Sequence, residues 1–197
     1  MEKGGLAQAL TAIGISRATA EAVAWSDEMR LGLHGQVRRR WTPRGIKVRQ
    51  RVEVKYQWRY LAVAVSAVGA LRWRWLENMR KEAIAETISA WAHDGIGALV
   101  WDSAPSHPAK LVREVGPPLL ALPPYSPELN PAERVFEELR RAVEGRVWGT
   151  VEAKVAAVEA LLQELVHSPE RVQRLTAWPW IRAALDELPL QPFPATL

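Results

Sequence analysis

Apolar residues recur along the chain at two periods, and the switches between them divide it into elements. Residues 5–13 give a short, weak helical pattern, and Ala22–Ser26 reads as a short apolar strand. Residues 46–56, 58–67 and 70–77 read as three strands of a meander, with β-formers and small residues concentrated over Leu61–Val68. Asn78–Trp91 then places Met79, Ala83, Ile84, Ile88 and Trp91 on one side of a helix. Strand and helix alternate after that: Ala98–Trp101, a helix over Pro108–Val115, a strand over Leu119–Leu122, and a helix over Pro131–Gly145. Beyond Gly149 the pattern is helical only, with Val151–Val166 amphipathic and Thr176–Leu188 a last short helix before a proline-rich tail. A meander followed by strand–helix alternation predicts an α/β fold, a mixed sheet flanked by helices over residues 22–146. Residues 150–188 form a C-terminal helical extension.

The segment Leu122–Arg140 carries the densest local signals. Pro123, Pro124 and Pro127 forbid regular pairing and stiffen the chain into an extended turn. Asn130 reads as a helix N-cap with Pro131 at the first helical position, where its missing N–H costs nothing. Glu133 falls in the first turn, at the positive end of the helix dipole, and Val135, Phe136 and Leu139 give that helix an apolar side. Two readings of Glu133 follow. It is a carboxylate presented from a rigid platform, or the far end of a capping box that satisfies the Asn130 backbone N–H.

Tyr125-Ser-Pro-Glu-Leu-Asn-Pro-Ala-Glu133 resembles the third catalytic block of the mariner-type superfamily of DDE transposases, above all its bacterial branch typified by insertion sequence 630. Gly97-Ala-Leu-Val-Trp-Asp102, followed by Ser103-Ala-Pro-Ser-His107, is similar to the second block, with Ser103 where the family commonly has Asn. Glu21–Leu33 resembles the first block, an apolar strand delivering Asp27, and Arg40-Trp-Thr-Pro-Arg-Gly45 is similar to the Trp-x-Pro-x-Gly that follows it. The likeness runs from about Ala22 to Leu188. It implies an RNase H-like sheet in which Asp27, Asp102 and Glu133 are catalytic and bind metal; His107 contacts the scissile phosphate or supports the metal shell in one reading and is structural in the other.

That resemblance has chemical consequences. Two unit charges at 4 Å repel by about 4 kcal/mol at an effective dielectric near 20, so three converging carboxylates call for cations. Hard oxygen ligands select Mg²⁺ or Mn²⁺, and a pair of ions suits in-line phosphoryl displacement. The family activity is cut-and-paste transposition, in which water attacks for strand cleavage and a DNA 3′-hydroxyl attacks for strand transfer. The implied partners are the transposon ends, a TA-containing target and a second copy of the chain in a homodimer. The family's N-terminal helix-turn-helix has no counterpart in the sequence before Asp27, so a separate reading frame is expected to supply it, or the copy is truncated. A stand-alone RNase H-like nuclease and a decayed or domesticated DNA-binding module remain open as alternatives.

Composition narrows the setting. The 197 residues are 48% hydrophobic and 24% charged, enough for one core, and there is no cysteine for a disulfide framework or thiolate metal site. No run reaches the eighteen or so apolar residues of a membrane span, and no signal peptide is visible. A bacterial, cytoplasmic, nucleoid-associated protein is expected. The net charge of +4 is modest, but its placement is uneven. Arg38, Arg39, Arg40, Arg44, Lys47, Arg49 and Arg51 crowd one segment around Trp41, a mixture suited to phosphate contact and base stacking. Arg38, Arg39, Arg40, Arg44, Lys47 and Arg49, with His107, are the expected DNA-contacting residues. The other reading of this run is a solvated hairpin whose charges keep an edge from pairing. Arg72 and Arg74 alternate with Trp73 and Trp75, which predicts a strand with one basic and one aromatic face, the aromatic one turned to the core.

Overall fold

The computed structural model describes residues 5–35, 41–47, 49, 51–102 and 109–191. After a short first helix, α1 (Gly5–Ala12), strand β1 (Val23–Gly32) forms the spine of a sheet. Its side chains alternate between two covered faces: Val23, Trp25, Met29 and Leu31 are buried on one, Ala24 and Ser26 on the other. β2 (Trp58–Ser66) runs antiparallel to it with Val63 opposite Asp27, and β3 (Leu71–Leu76) pairs antiparallel with β2. β4 (Ala98–Trp101) lies parallel to β1 on its other side, and β5 (Leu119–Ala121) parallel to β4. The order β3-β2-β1-β4-β5 gives a mixed sheet, with helices on both faces.

α2 (Lys81–His93) and α3 (Ala109–Val115) cover one face, where Ile84, Ile88, Trp91 and Val112 meet Ala24, Ala62, Leu99 and Trp101. The opposite face is covered by α4 (Ala132–Val143), α5 (Val151–Val166), α6 (Pro169–Thr176) and α7 (Pro179–Asp186). Their Phe136, Leu139, Val158, Leu162, Leu165, Val172 and Ile181 join Trp25, Val63 and Val100 in a single cluster. Burying a side chain of this size contributes roughly 1.5–3 kcal/mol, so this face holds much of the apolar stabilisation. The helices after residue 150 share that core with the sheet.

Polar contacts fix the same packing. Thr176 donates to the Ser66 carbonyl at 2.9 Å and Gln173 to the Val68 carbonyl at 2.9 Å, which seats α6 on the β2–β3 turn. Gly69 in that turn has φ +90, and a Cβ there would lie 2.2 Å from the Pro169 carbonyl oxygen, so both backbone sign and close approach require glycine. At the far end of β1, the nearly buried Lys154 of α5 donates to the Gly32 carbonyl at 2.6 Å.

Three sequence expectations change. β1 does not stop at Ser26 but runs to Gly32, because β2 supplies a partner along its whole length. No strand forms among the described residues of 46–56. Nearly all of them are exposed, and hydrogen bonds such as Gly35 N–H to the Glu53 carbonyl tie only the base of the arm. The last helical stretch is two helices, α6 and α7, and α6 begins well before Thr176. The alternation in β3 holds: Trp73 and Trp75 pack against the larger core, Arg74 pairs with Glu86 at 2.8 Å, and Arg72 bonds the Asp94 carbonyl.

Candidate active site

β4 ends at Trp101 while β1 continues, and this difference in length opens the site. The parallel register sets Trp25 opposite Val100. Asp102 follows Trp101 directly, so it leaves the end of β4 on the side of the sheet where β1 runs on through Asp27. Asp27 shares the face of Trp25 and Met29, the one covered by α4, and Asp102 lines the same cleft. Asp27 sits in mid-strand, at the point where β1 loses its parallel neighbour. The chain beyond β5 passes through the proline-framed turn and enters α4, which carries Glu133 in its first turn.

These elements enclose a cleft of about 430 Å³. Asp27, Asp102 and Glu133 line it together with Asn130, Tyr125, Ser126, Leu122 and three prolines. Three of these lining residues are carboxylates. Burial, the largest cause, pushes the Asp27 carboxyl up to about 7. The Glu28 backbone N–H, donating at 2.8 Å, opposes this, and the negative charges of Glu133, Glu28 and Asp102 reinforce it.

The capping-box reading of Glu133 is not realised. The Asn130 backbone N–H donates to the Pro127 carbonyl at 3.0 Å, while the Glu133 carboxylate pairs with Arg140 at 3.3 Å on the same helix. Among the described residues no three His, Cys, Asp or Glu groups are gathered closely enough to hold a metal ion as they stand. The donor chemistry nevertheless fits a hard divalent cation, because Asp27, Asp102 and Glu133 bring three carboxylates to one cleft.

Asn130 and Tyr125 carry more than the sequence reading gave them. Asn130 is 2% exposed, and its side chain reaches across to β1 as well as into α4. Tyr125 is fully exposed on the cleft wall with φ 58, a left-handed conformation rare for an aromatic residue. The crowding of prolines around it was the available signal. Of the expected DNA contacts, Arg44, Lys47 and Arg49 are exposed on the arm between β1 and β2, near the fully exposed Trp41. Arg38, Arg39, Arg40 and His107 lie outside the described residues. No helix among the described residues is long and apolar enough to cross a membrane.

Residues 22–153 match the family described as DDE superfamily endonuclease. The chain belongs to this family. No curated protein matches it by sequence. Among solved structures, the Mos1 transposase paired-end complex with left transposon end aligns over 93% of this chain at TM-score 0.64 and 16% identity. The catalytic domain of Mos1 mariner transposase aligns over 93% of this chain and 87% of its own length, at TM-score 0.58 and 15% identity. The mariner Mos1 paired end complex with Mg gives TM-score 0.62 at 14% identity. At these identities the likeness establishes a shared RNase H-like fold for this member of the DDE endonuclease family. The chain spans 60% of the length of the Mos1 chain in the left-end complex.

Proposed function

We propose that this chain is the catalytic domain of a mariner-type transposase of the insertion sequence 630 branch, which cleaves and rejoins DNA strands with divalent metal. The observation that carries the reading is that Asp27, Asp102 and Glu133, from β1, the end of β4 and α4, line one cleft. Asp27, Asp102 and Glu133 are assigned as the ligands of Mg²⁺ or Mn²⁺, in a site for two ions. Bound there, the ions would activate the attacking oxygen and stabilise the departing one.

The chain's residues divide the remaining work. Asp27 is held rigidly by the sheet, and Asp102 follows the end of β4. In cleavage a water oxygen attacks phosphorus, and the bond to the 3′ oxygen breaks with proton uptake by that oxygen. In joining, the freed 3′-hydroxyl attacks a phosphodiester of the target, and a new 3′ end departs. Arg38, Arg39, Arg40, Arg44, Lys47 and Arg49 are assigned to the phosphate backbone and His107 to the neighbourhood of the scissile phosphate. The Mos1 transposase structures include complexes with transposon ends and with Mg or Mn, which supports DNA and divalent metal as ligands here. A homodimer acting on transposon ends and TA-containing targets, with a helix-turn-helix supplied in cis or by a partner, completes the proposal.

The test is a joining assay. Purified chain is incubated with a labelled duplex bearing a free 3′-hydroxyl, a supercoiled target plasmid, and Mg²⁺ or Mn²⁺. Labelled duplex covalently attached to plasmid is expected. Nicking without attachment would identify a nuclease that does not join, and neither product would identify a module without catalysis.

A further inference from the structure

The Asn130 side chain bonds both the strand that carries Asp27 and the start of the helix that carries Glu133. Its amide Nδ2 donates to the Ser26 carbonyl at 3.0 Å and reaches the Asp27 Oδ2 at 3.4 Å. Its Oδ1 accepts from the Ala132 backbone N–H at 3.1 Å, at the start of α4. The chemistry of the partners fixes the amide orientation. A carbonyl only accepts and a backbone N–H only donates, so a flipped Asn130 would lose both bonds. At 2% exposure it has no water to turn to, and a lost bond would leave a buried polar group unsatisfied.

The result for Asp27 is directional. Oδ1 accepts from the Glu28 N–H at 2.8 Å, and Oδ2 faces the Asn130 amide. A carboxylate offers about four lone-pair sites, and these two donors come from the protein side. The sites that remain face the cleft. A helix cap alone needs only the acceptor oxygen of Asn130, which Ser or Thr would supply equally well. The donor half of the amide has no part in capping and is spent wholly on β1 and Asp27.

Resting on the reading of the cleft as a metal site, we propose that Asn130 is a positioning residue that orients the Asp27 carboxylate toward the cation and sets its spacing from Glu133. Outer partners of this kind typically change metal affinity or activity by about 10–100-fold when removed. Tight binding then depends on the amide donor and not on the cap.

The discriminating variant is Asn130→Ser, which keeps a capping oxygen but cannot reach Asp27. Calorimetric titration with Mn²⁺ is run on wild type, Asn130→Ser and Asp27→Asn, beside metal-free thermal melts of each. The expected result is Mn²⁺ affinity reduced roughly tenfold or more in Asn130→Ser, with a metal-free melt lowered only modestly by the lost bond to the Ser26 carbonyl. Wild-type Mn²⁺ affinity in Asn130→Ser overturns the proposal, as does a lowered melt with unchanged affinity, which would make Asn130 a cap only. If the serine variant does not fold, Asn130→Thr decides between the same outcomes. Failure of the underlying reading looks different: wild type then binds no Mn²⁺, or Asp27→Asn binds it as tightly as wild type.

Discussion

Asp27 combines a cost to the fold with a use for the site. Its folded pKa of about 7 lies above the ordinary 3.8, so the folded protein favours the protonated acid. The sign follows from linkage. The cost is absent below pH 3.8, grows as pH rises, and is complete above about 7, where it reaches on the order of 4 kcal/mol. Asp27→Asn is therefore expected to melt several degrees above wild type at pH 8 without metal, with the gap closing toward pH 4. Thermal melts across that range check this, and a gap independent of pH would contradict it. Metal binding must displace the Asp27 proton, so Mg²⁺ affinity should fall as pH drops below 7. Glu133 predicts the reverse balance. Its partner Arg140 is about a third exposed, so Glu133→Ala should cost under about 1 kcal/mol while abolishing nicking. Loss of stability with nicking intact would return Glu133 to a structural role.

Among the elements, those with a strong apolar period were legible in sequence. α5 and β4 have the bounds their patterns predict, β5 and α3 lie within a residue of theirs, and α4 within two. Asp102 and Glu133 were legible because each follows or begins such an element. The mid-strand position of Asp27 was hidden, since Arg30 and Gly32 break the alternation that would have extended β1. α6 was hidden because only Val172 and Thr176 are buried in an otherwise polar octet. The double bond of Asn130 depends on residues 104 positions apart in sequence and leaves no local trace. Gly69 tests the docking of α6. Gly69→Ala is expected to lower stability by about 1–3 kcal/mol in a denaturant titration, from backbone strain plus the clash with Pro169. A neutral effect would show that α6 does not press on this turn. The basic arm has its own test. Replacing Arg38, Arg39 and Arg40 together should weaken binding to all duplexes alike and flatten the salt dependence by about 0.9 per lost phosphate contact. An unchanged salt titration would make this run an ordinary solvated face.

At the scale of the molecule, β1 carries Asp27, Asp102 follows the end of β4, α4 carries Glu133, and α5–α7 share one core with α4 and the sheet. The site is thus assembled by the whole core, which is why the family likeness extends over most of the chain while individual identities to Mos1 stay near 16%. Phosphate contacts supply non-specific DNA affinity of about 10⁻⁴–10⁻⁶ M at physiological salt, whereas selectivity needs base-edge contacts. Residues 1–197 alone are expected to bind duplexes in that range and gain preference for element ends only when a helix-turn-helix is supplied. Discrimination of roughly a thousandfold by these residues alone would contradict this and direct attention to residues 151–188. The central claim, that the three acids form a metal-dependent strand-cleaving site, is tested most directly by plasmid nicking. Wild type and Asp102→Asn are compared in Mg²⁺ and in chelator, with matched melting curves. Nicking is expected from wild type in Mg²⁺ alone and not from the folded variant; equal nicking by both, or nicking that survives chelation, would contradict a metal-dependent site at these acids.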